Sequence, residues 1–150
     1  MNIKVRKASP LQTKTACMVI GAYEKALTTP LLKELHHKLG RLLSQAQRNG
    51  EFTGKAGEQI LFQPAGHLPA ERVLLVGLGN KAEITLEKIR QAAGSAIRQI
   101  VVKNLGRVAF AFPLNAVKRT AASAHVQAVA EGILLASYRY DQFLGKKAKD

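Results

Sequence analysis

The chain has 150 residues, 47% of them hydrophobic, and carries 23 Lys and Arg against 10 Asp and Glu, a formal net charge of +13. That is the size of one domain, able to bury roughly 70% of the surface its unfolded form exposes. A lone cysteine, Cys17, excludes an internal disulfide, and no run approaches the roughly 18 apolar residues that a membrane-spanning helix requires. The opening MNIKVRKASP has charges at Lys4, Arg6 and Lys7 but no apolar stretch behind them, so it does not read as a secretory signal. A soluble protein in a reducing, cytoplasmic setting, away from membranes, is expected. The excess positive charge draws polyanions at long range. It is spread evenly, +6 over residues 1–75 (11 basic, 5 acidic) and +7 over 76–150 (12 basic, 5 acidic), and only the final KKAKD resembles a charged linker.

In chain order, Ile3 to Val5 alternates with Lys4 and Arg6 and predicts an edge strand. Cys17 to Ala22, within the apolar run ACMVIGAY, predicts a second strand, where Cys17 is a small core residue rather than a reactive thiol. Thr29 and Pro30 open a helix: the threonine hydroxyl can accept from an exposed first-turn amide, and proline at the first helical position forfeits no bond. Leu31, Leu32, Leu35, Leu39, Leu42, Leu43 and Ala46 recur at helical spacing, which predicts one amphipathic helix stopped by Asn49-Gly50. The segment EFTGKAGEQILFQP reads as a glycine-punctuated turn into a strand over Gln59 to Phe62, ended by Pro64, with AGHLPAE as a loop.

Arg72 to Gly77 is a continuous apolar run, as expected of a strand covered on both faces. A helix from near Thr85 follows, burying Leu86, Ile89, Ala93, Ala96, Ile97 and Ile100, and then a strand over Arg107 to Phe112, broken by Pro113. Strand, helix and strand of this length make a βαβ unit, which closes right-handed with parallel strands. The last helix is predicted from Val117 to Ser137, with Ala124, Val126, Val129, Ile133 and Leu134 on it. The whole predicts an α/β fold with three αβα layers around a mostly parallel or mixed sheet, without internal repeats.

Chemistry-bearing patterns are few. Gly77-Leu78-Gly79-Asn80-Lys81-Ala82 matches the spacing that cradles pyrophosphate. The helix starts well after the glycines, however, and Ala96 to Leu105 contains no Asp or Glu to hold a ribose hydroxyl, so a structural turn is the expectation. Among the histidines, His36 and His37 are adjacent on a helix and point about 100° apart, which does not suit one metal. His67 lies in a loop, and His125 has no carboxylate three or four residues away. Ser95, in AGSAI, is mid-helix and lacks the strained elbow of a nucleophile. The carboxylates are scattered, with no acid/base pair among them. No catalytic, cofactor-binding or metal-ligating residue is therefore assigned. Lys88, Arg90, Arg98 and Lys103 lie along the Thr85 helix, with Lys118 and Arg119 ahead of the last one, and these six are candidate phosphate or nucleic-acid contacts.

Four features occur in succession: the turn FTGKAGEQILF, the strand VLLVGLG, the Arg-flanked helix RQAAGSAIR over Arg90 to Arg98, and the exit AEGILLASYRYD over Ala130 to Asp141. In that order the chain resembles the N-terminal domain of the leucyl (cytosol) aminopeptidase family. The resemblance implies a macrodomain-like fold over 1–144, the start of an interdomain linker at 145–150, and a hexameric full-length enzyme. It also implies a C-terminal catalytic domain in which two divalent metals, zinc or manganese, activate water to release N-terminal residues such as leucine. The Asn-Thr-Asp-Ala-Glu-Gly-Arg run and the acidic segments that hold the family's metals and catalytic Lys and Arg are absent from these 150 residues. The expected role is thus non-catalytic, in hexamer assembly or regulation beside the chain's own C-terminal domain. The alternatives are a basic DNA-binding module or a macrodomain-like nucleotide-binding module.

Overall fold

The computed structural model describes residues 3–25, 29–102 and 106–149, the side chains of residues 102 and 139–149 excepted. Four strands, β1 (Cys17–Tyr23), β2 (Gln59–Phe62), β3 (Val73–Gly79) and β4 (Val108–Ala111), form one sheet in the order β2-β3-β1-β4. The helices are α1 (Pro30–Leu39), α2 (Arg41–Arg48), α3 (Leu86–Val102) and α4 (Ala122–Lys149). β1 runs parallel to β3, with Met18 opposite Val73, and parallel to β4, with Cys17 opposite Val108; β2 joins antiparallel at the edge, with Gln59 opposite Val76. The sheet is therefore mixed, as expected, and the βαβ unit places β4 on the far side of β1 from β3.

β1 and β3 are buried along their whole length because their alternate side chains feed two different cores. Cys17, Val19, Tyr23, Leu74, Val76 and Leu78 face Ile89, Ala93, Ala96 and Ile97 of α3 and Ala128, Ile133 and Ala136 of α4. Met18, Ile20, Val73 and Leu75 face Leu32, Leu35 and Leu39 of α1 and Leu43 and Ala46 of α2. This is the physical content of the unbroken apolar runs: two covered faces leave no polar side to the strand. Burial also pushes the Cys17 thiol up to about 11, mainly by desolvation, as befits an inert core side chain.

Several expectations need correction. The segment around Ile3 to Val5 forms no strand; Val5 is 71% exposed, and three alternating residues bury too little apolar surface to hold an arm on a sheet edge. The leucine-rich helix is two helices, because Gly40 at φ 60° and ψ −123° leaves the helical region that its missing Cβ frees it from. The break leaves Leu42 exposed while Leu43 and Ala46 stay buried. The last helix starts at Ala122, not Val117, and continues to Lys149. Residues 117–121 wrap instead around the fully buried His125, whose Nε2 accepts from the Val117 N–H at 3.0 Å. With Nε2 accepting, Nδ1 carries the proton and donates to the Ala121 carbonyl 2.9 Å away, and Arg119 takes up a positive φ in the wrap.

Candidate functional site

In open α/β sheets ligands bind beyond the carboxyl ends of the strands, where the chain leaves in opposite directions from neighbouring strands. Here that place is the end of β1 and β3, where Ala22 pairs with Gly77 and Tyr23 with Gly79 across a bulge. The loop of residues 53–58 lies across it. Its carbonyls take the strand-end amides: Gly79 N–H donates to Gly54 O at 2.9 Å, Gly77 N–H to Glu58 O at 2.8 Å, and Lys25 N–H to Thr53 O at 3.3 Å. Gly54 sits at φ 91° with no room for a side chain against the Tyr23 carbonyl, and Gly77 has none against the Lys55 carbonyl. The glycines of the pyrophosphate-like motif thus admit the chain's own backbone. Asn80 caps a short 3-10 turn, Lys81–Glu83, and α3 opens only at Leu86, so the glycine turn and the helix N-terminus are separate.

The loop is held in shape by one carboxylate. Glu58 Oε1 accepts from the Thr53 hydroxyl at 2.6 Å, the Lys55 N–H at 2.8 Å and the Thr53 N–H at 3.3 Å. These donors, the Thr53 hydroxyl first, hold its carboxyl below the usual carboxylate range. A carboxylate whose folded pKa is depressed stabilises the fold above its unfolded pKa and loses that contribution as pH falls through the folded value. Glu58→Gln is expected to cost about 1–2 kcal/mol at neutral pH. It should also flatten the acid limb of stability against pH, measured by thermal melts from neutral pH downward. A variant whose melting follows the wild type at every pH would refute this role.

Beside the loop, the Tyr23 ring is buried with Lys81 Nζ 5.6 Å from its centroid, and its hydroxyl, whose pKa burial raises, has no hydrogen-bond partner among the described residues. On the other side of the sheet end, Gln59 Nε2 donates to Ser95 Oγ at 2.7 Å, tying the edge strand to α3. Ser95 serves there as a structural hydrogen-bond acceptor. His36, His37 and His67 are exposed and His125 is the clamp described above. Among the described residues no group of three or more His, Cys, Asp or Glu is placed to hold a metal.

The six basic candidates fall in different surroundings. Lys88 and Arg98 are exposed on α3, but ten residues of helix set them about 15 Å apart along the axis and about 80° apart around it. Lys88 Nζ donates to the Glu83 carbonyl at 3.0 Å. Arg90 is half-buried between the carboxylates of Glu87 and Glu131, the latter 3.3 Å from its Nε, which bridges α3 to α4. Lys118 and Arg119 are exposed in the turn before α4, and Lys103 lies outside the described residues. What the sequence pattern did not single out is Glu58, although the glycine-flanked KAGE turn was its signal.

A sequence profile described as the cytosol aminopeptidase family, N-terminal domain, matches residues 19–147. A probable cytosol aminopeptidase of Syntrophotalea carbinolica is 39% identical over 150 residues, covering 100% of this chain and 30% of that protein. The chain therefore spans about a third or less of the curated relatives it matches. Among solved structures, a mutant of tomato leucine aminopeptidase superposes with a TM-score of 0.71 at 24% identity, over 88% of this chain and 27% of that one. The macrodomain of Mycobacterium tuberculosis DarG superposes with a TM-score of 0.66 at 14% identity, over 87% and 88% of the two chains, so the fold is macrodomain-like. Among the described residues no helix is long and apolar enough to cross a membrane.

Proposed function

This chain belongs to the cytosol aminopeptidase family, as its N-terminal domain, and from that premise we propose that it is a non-catalytic module of a longer metal-dependent aminopeptidase. The observation that carries the reading is the alignment itself: the whole chain matches relatives of which it makes up 30%. In this reading the remaining length holds the catalytic centre, with two zinc or manganese ions, and releases N-terminal residues such as leucine from peptides. Among the described side chains no cluster of three His, Cys, Asp or Glu offers such a pair of ions a site. Its contribution is to the assembly of a hexamer and to access to the neighbouring domain, in the cytosol that its relatives' name denotes. The domain ends near residue 144, and the chain passes to its neighbour along the unbroken helix α4.

Two preparations test this. The purified chain is expected to release no leucine from a leucyl substrate with or without manganese, whereas the longer protein encoded by the same gene is expected to do so and to lose activity with chelator. Removal of residues 1–144 from that longer protein should abolish the hexamer in light scattering. Manganese-dependent, chelator-sensitive turnover by the chain alone would overturn the reading, and a trimmed protein that stays hexameric would remove the assembly role.

A further inference from the structure

The outward face of α4 changes character along its length. Residues 123, 127, 131, 134, 135 and 138 are its exposed stripe, and they read Ser, Gln, Glu, then Leu, Leu, Tyr. Leu134 is 49% exposed and Leu135 48%, with the Tyr138 ring beside them at 60%. The opposite face is already committed, through Ala128, Gly132, Ile133 and Ala136, to α3 and the sheet. A surface helix presents polar residues opposite its buried stripe, and a helix apolar on both sides is covered on both. The turns up to Glu131 obey the first rule, and the turn from Leu134 to Tyr138 obeys the other.

We infer that Leu134, Leu135 and the ring of Tyr138 form the seat on which the C-terminal domain of the same polypeptide docks. The inference rests on the reading that this is the N-terminal part of a longer aminopeptidase. The relatives are about three times longer, and an N-terminal domain places their remaining length past α4, the helix whose middle turns carry the patch. A domain tethered there meets the patch at high effective concentration, so a modest apolar area suffices to hold it. The polar first half of the stripe, Gln127 and Glu131, stays in water, and Glu131 there holds Arg90.

Cysteine labelling tests this directly, because the native Cys17 is buried and its thiol is pushed up to about 11, which makes it a silent background. Leu134→Cys, Leu135→Cys and, as an exposed control on α2, Leu42→Cys would be placed singly in the 150-residue chain and in the full-length protein. Maleimide labelling of each site is then followed by peptide mass spectrometry. Sites 134 and 135 are expected to label as fast as 42 in the short chain and about tenfold or more slowly in the full-length protein, with 42 unchanged. Equal labelling of 134 and 135 in both proteins would overturn the docking seat. Labelling that slows in the short chain as its concentration rises would assign the patch to a second copy, and would overturn it as well. Manganese-dependent leucine release by the same full-length sample tells a failed docking seat from a failed family reading.

Discussion

Gly77→Ala is expected to lower stability by about 3 kcal/mol or more, the combined effect of overpacking and of two displaced backbone hydrogen bonds. The added Cβ would overlap the Lys55 carbonyl oxygen and lie 2.9 Å from the Gly54 carbonyl carbon. Both obstacles are backbone, so no rotamer change relieves them, and the loop of residues 53–58 has to lift from the strand ends. Lifting breaks the bonds from Gly77 N–H to Glu58 O and from Gly79 N–H to Gly54 O. For a domain of this size the loss corresponds to a fall of roughly 6–12 °C in Tm. Calorimetry on the two proteins decides it, and a variant melting within about 2 °C of the wild type would show that the loop is not pressed on the sheet as described.

The second large effect lies between α3 and α4. Gly132→Ala should destabilise by about 2 kcal/mol, even though alanine is the better helix former by about 1 kcal/mol. A Cβ there would overlap the Arg90 carbonyl oxygen and stand 3.2 Å from the Ala93 Cβ, so two whole helices must part. The neighbouring Gly94 supplies the control. Its added Cβ would meet the Gly132 carbonyl oxygen at 3.2 Å and the Ala136 Cβ at 3.7 Å, a contact that small shifts relieve. Gly94→Ala is accordingly expected to be close to neutral, the helix gain offsetting the squeeze. Urea unfolding of the three proteins measures both values. If Gly132→Ala proved as stable as Gly94→Ala, the close approach of the two helices would be wrong.

What the sequence disclosed and what it withheld divide along physical lines. VLLVGLG and CMVIGAY announce doubly covered strands because burial on both faces removes polar residues from the strand itself, and that signal is local. The start of α3 was equally local, since Thr85 accepts from the Lys88 N–H within the same turn. The start of α4 was not: the Val117 amide is claimed by a histidine eight residues on, a competition that helical periodicity does not register. Gly40 ends α1 through a backbone conformation that glycine permits without requiring, so the leucine spacing ran straight through it. At the sheet end, the glycine turn and the glycine strand were both visible. That they touch each other, with Glu58 gathering the donors of the turn, depends on two segments some twenty residues apart meeting in space.

The strand order has a consequence for how the chain is made. β1, one of the two inner strands buried along their whole length, leaves the ribosome first among the four, yet Met18 finds its partner Val73 only 55 residues later and Cys17 its partner Val108 only 91 residues later. At synthesis rates of roughly 5–20 residues per second, the sticky heptapeptide CMVIGAY spends several seconds outside the exit tunnel with neither flank paired. Its early companions are Leu11, made before it, and the α1–α2 pair, whose leucines share the finished core with Met18 and Ile20. The nascent chain thus has two short helices ready to shelter one face of this apolar strand before any sheet exists.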